Sequence, residues 1–288
     1  MVTKEFYIFK SIMAATSFIL NGLFLIVLAR NKDLVKRKRI TYHVANLAIA
    51  DTLFGLSRIF YFIIRLLHPN EIAILLHLDS MCAGFQLASV IAVLLMTIER
   101  SVVIAKPLRW NMILPRKRLL LIMIASWIAV TLLAVLYNMF WKIDMSDGMV
   151  IFILPPVFIL FTAAVNIFMF KKLREKDGLA DSQQSTRVVP QAATQYKSTH
   201  LKHKASILVL WLAVIMIITC LPMSLQRMII LICLKYKLHY NWHLPYQINR
   251  VIFILEDLNF LVNPLVYIWK DRIYRNAFYR TLKIKAQF

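Results

Sequence analysis

Long apolar runs recur along the chain of 288 residues. A bilayer crossing requires roughly 20 residues at 1.5 Å rise per residue, and each run has about this length. Five runs contain no charged residue: Ser11–Ala29, Ser80–Ile98, Leu119–Trp141, Gly148–Phe170 and Ala205–Gln226. Two further segments, Thr41–Ile64 and Val251–Trp269, have the length but carry charges inside. The pattern predicts seven membrane-spanning helices.

The predicted fold class is all-α, a seven-transmembrane helix bundle with a short amphipathic eighth helix. We expect one domain over residues 1–288. The predicted spans are about 8–30, 40–67, 72–105, 117–141, 148–173, 203–234 and 246–269, and the amphipathic helix covers about 271–283.

The net charge of +21 is concentrated in alternate loops. Four segments hold 26 of the 35 Lys and Arg residues: Arg30–Arg39, Arg100–Arg118, Lys171–Lys204 and Lys270–Lys285. The loops between them are nearly neutral, which is the positive-inside pattern. It places the amino terminus outside and the carboxyl terminus in the cytoplasm. The basic excess therefore indicates a lipid bilayer as partner, not nucleic acid.

Four charged side chains fall inside the second and seventh spans, where charge is costly and indicates function. If antiparallel helices place Asp51 level with Asn263, then Arg58 and Glu256 each lie seven residues nearer the outside. Seven residues are about two helical turns, so each stays on the face of its starting residue. We therefore expect Asp51 beside Asn263, and Arg58 beside Glu256 or Asp257. The second contact either locks two helices together or faces a ligand.

Pro264 interrupts the seventh span within "NPLVY", residues 263–267. A proline inside a helix removes one backbone donor and bends the helix, which leaves carbonyl groups that need partners. The segment is either a hinge or an ordinary proline kink.

Across nearly the whole chain, the sequence resembles the rhodopsin-like (class A) G-protein-coupled receptors. The resemblance rests on motifs that occur in the family's order: Asn21, "NLAIAD" (46–51), "ERS" (99–101) followed by Pro107 and Leu108, Trp127, "TCLP" (219–222), "NPLVY" and "IYRNAF" (273–278). It implies a plasma-membrane receptor with no enzymatic activity, which binds an extracellular ligand and a heterotrimeric G protein. The implied coupling and switch residues are Glu99, Arg100, Pro107, Leu108, Pro222, Asn263, Pro264 and Tyr267.

The same resemblance implies a sodium and water pocket made of Asn21, Asp51, Ser89, Asn259 and Asn263. One carboxylate, at Asp51, and oxygen donors such as Ser89 suit a hard monovalent cation. The alternative without an ion is an Asp51 that burial keeps protonated. No other cofactor is expected.

The chain also departs from the family pattern. Leu75 stands where the third span usually has a cysteine, and the outer loop 141–149 contains none, so we expect no extracellular disulfide. Such a short outer loop is similar to that of melanocortin, cannabinoid and lysophospholipid receptors. Cys220 replaces the tryptophan usual in the sixth span.

Two substitutions set aside ligand classes that the family uses. Asp257 replaces the lysine that retinal requires, and Cys82 replaces the aspartate with which amine receptors bind their ligands. The candidate pocket consists of Arg58, Asp79, Cys82, Cys220, Arg227, Arg250, Glu256 and Asp257. Arg227 and Arg250 could clamp a carboxylate or phosphate. An anionic lipid or metabolite is the first expectation, and a short peptide is the second.

Two other functions remain open from the sequence. An ion-coupled transporter would use Asp51, Arg58 and Glu256 to relay charge, although neither internal repeats nor paired helix breaks are present. A receptor that signals poorly and acts as a dimer partner would fit the altered fifth and sixth spans.

Overall fold

The computed structural model describes residues 4–37, 39–107, 109–140, 150–184, 192–236 and 246–283. Within these ranges nearly every residue is helical. The helices are α1 Lys4–Arg30, α2 Lys32–Arg37, α3 Ile40–Leu67, α4 Ile72–Ala105, α5 Trp110–Ile113, α6 Arg116–Phe140, α7 Val150–Gln184, α8 Ala192–Lys235, α9 Tyr246–Lys270 and α10 Arg272–Leu282.

Seven of the described helices, α1, α3, α4, α6, α7, α8 and α9, contain segments long and apolar enough to cross a membrane. The predicted all-α bundle of seven spans is therefore confirmed. Two helices extend past the predicted limits: α7 continues to Gln184 and α8 begins at Ala192. Apolar periodicity could not predict these extensions, because their sequences are polar and mostly outside the hydrophobic runs.

Large apolar side chains point outward on several helices, as lipid contact requires. Ile12 of α1, Ile124 of α6 and Leu160 of α7 are all more than half exposed. The interior contains a main apolar cluster in which Leu47, Met96, Leu212 and several neighbours are buried. The bundle is therefore apolar on its surface and mixed inside, the arrangement expected of a membrane protein.

Helices α1 and α3 approach closely at Gly55. A Cβ atom added there would lie 3.0 Å from the carbonyl oxygen of Ala14 and 3.0 Å from the backbone nitrogen of Phe18. A side chain at position 55 would therefore push the two helices apart. Gly22, by contrast, has no such neighbour within 4 Å.

Two hydrogen bonds attach α6 to the rest of the bundle. The indole Nε1 of Trp127 donates to Asn46 Oδ1 of α3 at 2.8 Å. The hydroxyl of Ser80 in α4 donates to the carbonyl oxygen of Ala134 at 3.1 Å. These contacts hold α6 against the two helices that carry most of the polar interior.

The short helix α10 begins at a well-formed cap. The carboxylate of Asp271 accepts a hydrogen bond from the backbone nitrogen of Ile273 at 2.9 Å, and Lys283 ends the helix in the left-handed conformation. Tyr274 and Ala277 face the bundle, while basic side chains lie on the other face. The predicted amphipathic eighth helix is present at its expected place.

Candidate functional site

Six charged side chains gather in the half of the bundle that the charge pattern places outside. This outer charge cluster consists of Lys10, Arg58, Asp79, Arg227, Glu256 and Asp257. They come from α1, α3, α4, α8 and α9. Five helices thus meet through charge at one level.

Arg58 and Glu256 are at the centre of the cluster. Nη2 of Arg58 lies 2.9 Å from Oε2 of Glu256, and both side chains are buried. Nη1 of Arg58 also lies 3.8 Å from Oδ1 of Asp79. The contact between Arg58 and Glu256 confirms the helical-repeat argument that placed both residues two turns outside Asp51 and Asn263.

Arg227 completes the environment of Glu256 from α8. Its Nη2 lies 3.2 Å from Glu256 Oε1, and its Nη1 donates to Gln86 Oε1 at 2.9 Å. The Arg227 side chain is 18% exposed, whereas that of Arg58 is 5% exposed. Arg227 is therefore the more accessible of the two guanidinium groups that contact Glu256.

Lys10 is a member that sequence reasoning missed. Its Nζ lies 2.6 Å from Oδ2 of Asp257 and donates to the carbonyl oxygen of Phe253 at 2.6 Å. The side chain is 2% exposed despite its position in the second turn of α1. The available signal was a lysine within an otherwise apolar helix, immediately before the uncharged run 11–29.

The other predicted pocket residues are two cysteines and Arg250. Cys82 packs with Phe54 and Phe260, and Cys220 is buried in the main apolar cluster. All three cysteines of the chain are free thiols. The guanidinium of Arg250 lies over the ring of Phe6, 4.9 Å from its centroid.

A second polar group lies about two turns deeper, around Asp51. Ser89 Oγ donates to Asp51 Oδ1 at 2.7 Å, and Asn263 Nδ2 donates to Asp51 Oδ2 at 2.8 Å. The expected neighbours of the carboxylate are therefore in place. This group joins α3, α4 and α9 at a level where the surroundings are apolar.

Asn21 and Asn259 lie on the margins of this group. Asn21 Nδ2 donates to the carbonyl oxygen of Phe260 at 2.8 Å, and Asn259 Oδ1 accepts from Thr219 Oγ1 at 3.2 Å. Oδ1 of Asn21 is buried and has no hydrogen-bond donor within the described part of the chain. An acceptor left in this way is suited to a water molecule or a cation.

At the end assigned to the cytoplasm, Glu99 is surrounded by two arginines and a histidine. Its Oε1 lies 2.7 Å from Arg39 Nε, and its Oε2 lies 2.6 Å from His43 Nε2 and 3.4 Å from Arg100 Nη2. Glu99 is 1% exposed and Arg100 is 7% exposed. Sequence reasoning identified Glu99 and Arg100 but missed Arg39 and His43, which α3 and its preceding turn contribute.

Arg39 also connects Glu99 to the second inner loop. Its guanidinium lies over the ring of Trp110, 4.9 Å from the centroid, and Nη2 donates to the carbonyl oxygen of Leu114. The position of that loop is thus linked to the carboxylate beside Arg100. Pro107 is exposed at the start of the loop, and Leu108 lies outside the described residues, as does the outer loop 141–149.

The remaining predicted switch residues lie in α8 and α9. Pro222 is inside α8, and Pro264 is buried inside α9. Tyr267 is fully buried against Phe24, and no described residue offers its hydroxyl a hydrogen bond. A hydroxyl without a partner in this position is compatible with a second arrangement of α9.

Tyr274 of α10 fixes the eighth helix to the bundle. Its hydroxyl lies 3.0 Å from Thr41 Oγ1. Burial raises the pKa of Tyr274 above its usual range, so the hydroxyl stays protonated and can donate to Thr41.

These features define a helical membrane protein with three polar levels inside: the outer charge cluster, the Asp51 group and the Glu99 group. No group of three or more His, Cys, Asp or Glu side chains arranged to hold a metal ion occurs within the described ranges.

Comparison with known proteins agrees with this class. The family model described as "7 transmembrane receptor (rhodopsin family)" matches residues 20–148. Melanocortin receptor 3 of Homo sapiens is 23% identical over 282 residues, which cover 92% of this chain and 81% of that receptor. Both likenesses are to receptors of the rhodopsin family, and the seven-helix fold agrees with them. The seven helices able to cross a membrane make the chain a multi-pass membrane protein.

Proposed function

We propose that this protein is a rhodopsin-like receptor of the plasma membrane, which binds an extracellular ligand at the outer charge cluster and activates a heterotrimeric G protein. The observation that supports this most is the alignment of the three polar levels on shared helices. Helix α3 contributes Arg58, Asp51 and His43, and α4 contributes a partner at each level. A shift of α3 or α4 would therefore alter all three levels together.

The proposed ligand class rests on which cation of the outer charge cluster a ligand can reach. Glu256 is shared by Arg58 and Arg227, and of these two cations Arg227 is more accessible. A ligand carboxylate or phosphate would compete with Glu256 for Arg227 and disturb the contacts between α8 and α9. We therefore propose an anionic lipid or metabolite as the ligand.

A short peptide is the second candidate, because the cluster also presents an accessible acid. The Asp79 side chain is 36% exposed and only 3.8 Å from Arg58. A peptide with a cationic side chain would contact Asp79 and leave Arg227 with its internal partner. The two ligand classes thus depend on different residues.

At the inner end, we propose that Arg100 contacts the G protein after leaving Glu99. The support is the geometry of the Glu99 group: the carboxylate that holds Arg100 also contacts Arg39 and His43. In the rearranged state Arg39 would continue to neutralise Glu99 and His43 would continue to contact it, so releasing Arg100 would not leave a buried carboxylate without a partner.

We also propose that the Asp51 group accepts a sodium ion. A hard cation requires oxygen ligands. The group offers the donor-free Oδ1 of Asn21 and oxygen-bearing side chains at Asp51, Ser89, Asn259 and Asn263. A bound sodium ion would supply positive charge beside the Asp51 carboxylate.

The ligand proposal is tested by charge removal at matched positions. Arg227→Gln, Arg250→Gln and Asp79→Asn are compared with Arg65→Gln, because Arg65 is an outer arginine whose described contact is only the Pro69 carbonyl oxygen at 3.4 Å. G-protein dissociation is measured in cells against a panel of anionic lipids, carboxylate metabolites and peptides. Loss of a charged hydrogen bond is expected to weaken an anionic agonist by about 10-fold to 100-fold in Arg227→Gln.

The outcomes separate the candidates. Full potency of an anionic agonist in both Arg227→Gln and Arg250→Gln would remove the anion clamp. A ligand that loses potency in Asp79→Asn and keeps it in Arg227→Gln would identify the peptide class instead. An equal loss of potency in Arg65→Gln would show that positive charge at the outer end attracts the ligand only at a distance, without a specific contact.

A further inference from the structure

A groove separates the inner halves of α7 and α8 on the outside of the bundle. It has a volume of about 750 Å³, within the range of about 300–1,000 Å³ that small-molecule sites occupy. Its walls are mostly apolar and comprise Ala163, Ile167, Phe170, Leu210, Val214 and Ile217, among others. Phe170 and Ile167 are exposed, so the groove opens toward lipid.

The cytoplasmic end of the groove is basic. Lys171 and Arg174 line it, and they lie on one face of α7 because they are three residues apart. Glu175 also lines this end, but Lys172 Nζ lies 2.7 Å from its carboxylate. The charge of Glu175 is therefore matched by Lys172, and no ion pair joins Lys171 or Arg174 to an acid in the part of the chain that the structure describes.

One polar atom inside the groove distinguishes it from an ordinary lipid-facing surface. Asn166 is 4% exposed, and its Nδ2 donates to the carbonyl oxygen of Thr162 at 2.9 Å and to Thr97 Oγ1 at 3.3 Å. Its Oδ1 accepts no hydrogen bond from any described residue. The atom is itself buried, so the lining of the groove has a polar group beneath its apolar surface.

We propose that the groove binds an anionic phospholipid of the cytoplasmic leaflet. One acyl chain would lie along the apolar wall, and the phosphate would contact Lys171 and Arg174. Asn166 is five residues from Lys171, or about 7.5 Å along the helix, so it lies deeper in the bilayer than the two basic side chains. The cytoplasmic leaflet is rich in anionic lipids that basic residues at this depth attract.

This site is separate from the outer charge cluster and does not depend on the ligand proposed above. If α8 moves during G-protein activation, a bound lipid would favour one of its positions, and that consequence rests on the proposed function. Lipid binding itself is measured without any signalling readout, so failure of one proposal is distinguishable from failure of the other.

The test titrates the purified full chain in detergent with phosphatidylserine or phosphatidylcholine and counts bound lipid by native mass spectrometry. Each basic charge near the surface contributes about fivefold to binding an anionic lipid, so Lys171→Gln/Arg174→Gln is expected to weaken phosphatidylserine binding by about 30-fold. Lys117→Gln/Arg118→Gln is the matched control, because it removes two exposed basic charges from α6, at the same end of the bundle, without touching the lining of the groove.

A second pair of variants tests the groove itself. Val214→Trp would fill it, whereas Ile218→Trp adds the same bulk one turn away on the exposed surface of α8. We expect weaker phosphatidylserine binding in the first and unchanged binding in the second. Thermal unfolding and gel filtration confirm that each variant is folded.

Three results would overturn the proposal: equal affinity for phosphatidylserine and phosphatidylcholine, equal loss of phosphatidylserine binding in Lys171→Gln/Arg174→Gln and Lys117→Gln/Arg118→Gln, or full phosphatidylserine binding by folded Val214→Trp.

Discussion

Replacing Lys10 with methionine removes the cation from a buried ion pair between α1 and α9. Lys10 Nζ lies 2.6 Å from Asp257 Oδ2, and the two side chains are 2% and 5% exposed. The substitution keeps most of the side-chain volume, so its main effect is to leave the Asp257 carboxylate buried without its cation. Breaking a buried pair in this way costs about 3–5 kcal/mol.

The same argument predicts that removing both charges costs much less than removing one. In Lys10→Met/Asp257→Leu no unpaired charge is left inside, and replacing a buried pair by apolar groups is often nearly neutral. We therefore expect the double variant to be more stable than Lys10→Met. The difference gives a coupling energy between the two positions that a double-mutant cycle measures.

Equilibrium unfolding of the purified protein in mixed micelles provides the assay. The matched control is Lys172→Met, because Lys172 Nζ lies 2.7 Å from Glu175 Oε2 but the side chains are 43% and 59% exposed. An exposed pair contributes about 0–1 kcal/mol. If Lys10→Met costs no more than Lys172→Met, or if the double variant is as unstable as the sum of the single changes, the reasoning about the buried pair is wrong.

Three other predictions concern the helix contacts and the middle level. Gly55→Ala should lower the free energy of unfolding by about 1–3 kcal/mol, because the added Cβ meets the α1 backbone. Gly22→Ala should be neutral or slightly stabilising, and equal effects of the two variants in unfolding assays would contradict this. Sodium should raise the thermal midpoint of the wild type above its value in potassium, and Asp51→Asn should abolish that difference; an unchanged difference would exclude the ion from this site. Tyr274→Phe should cost about 0.5–1.5 kcal/mol by removing the contact with Thr41, and no loss of thermal stability would count against that hydrogen bond.

Much of the architecture was predictable because membrane helices leave a direct signature in the sequence. The hydrophobic runs predict seven spans, and the helical repeat predicts contacts between residues at equal depth on antiparallel helices. That arithmetic took Asp51 level with Asn263 as its premise and predicted Arg58 beside Glu256 or Asp257; the contacts of Asp51 with Asn263 and of Arg58 with Glu256 are both present.

The residues that sequence reasoning missed were missed for one physical reason. Lys10, Arg39 and His43 each contact an acid on a helix far away in the sequence, namely Asp257 or Glu99. Such contacts depend on the rotation of each helix about its axis and on which helices are neighbours. Neither property follows from hydrophobic period or span length, so the sequence indicated the acids without indicating all of their partners.

The groove between α7 and α8 was also not predictable. Small residues of both helices, such as Ala163 and Ala213, line it. The sequence shows these alanines only as members of apolar runs. Its basic end was interpreted from the sequence as part of the positive-inside pattern, which explains the charge of Lys171 and Arg174 without assigning them a ligand.

The central claim is that Arg100, once released from Glu99, drives G-protein activation. The most direct measurement is ligand-free G-protein dissociation in cells that express wild type, Glu99→Gln or Glu99→Gln/Arg100→Ala at equal surface abundance. Because Glu99→Gln removes the carboxylate 3.4 Å from Arg100, we predict more dissociation than in wild type, and a return to the level of untransfected cells in the double variant. Dissociation in Glu99→Gln that stays at the wild-type level, or that persists without Arg100, would contradict the account.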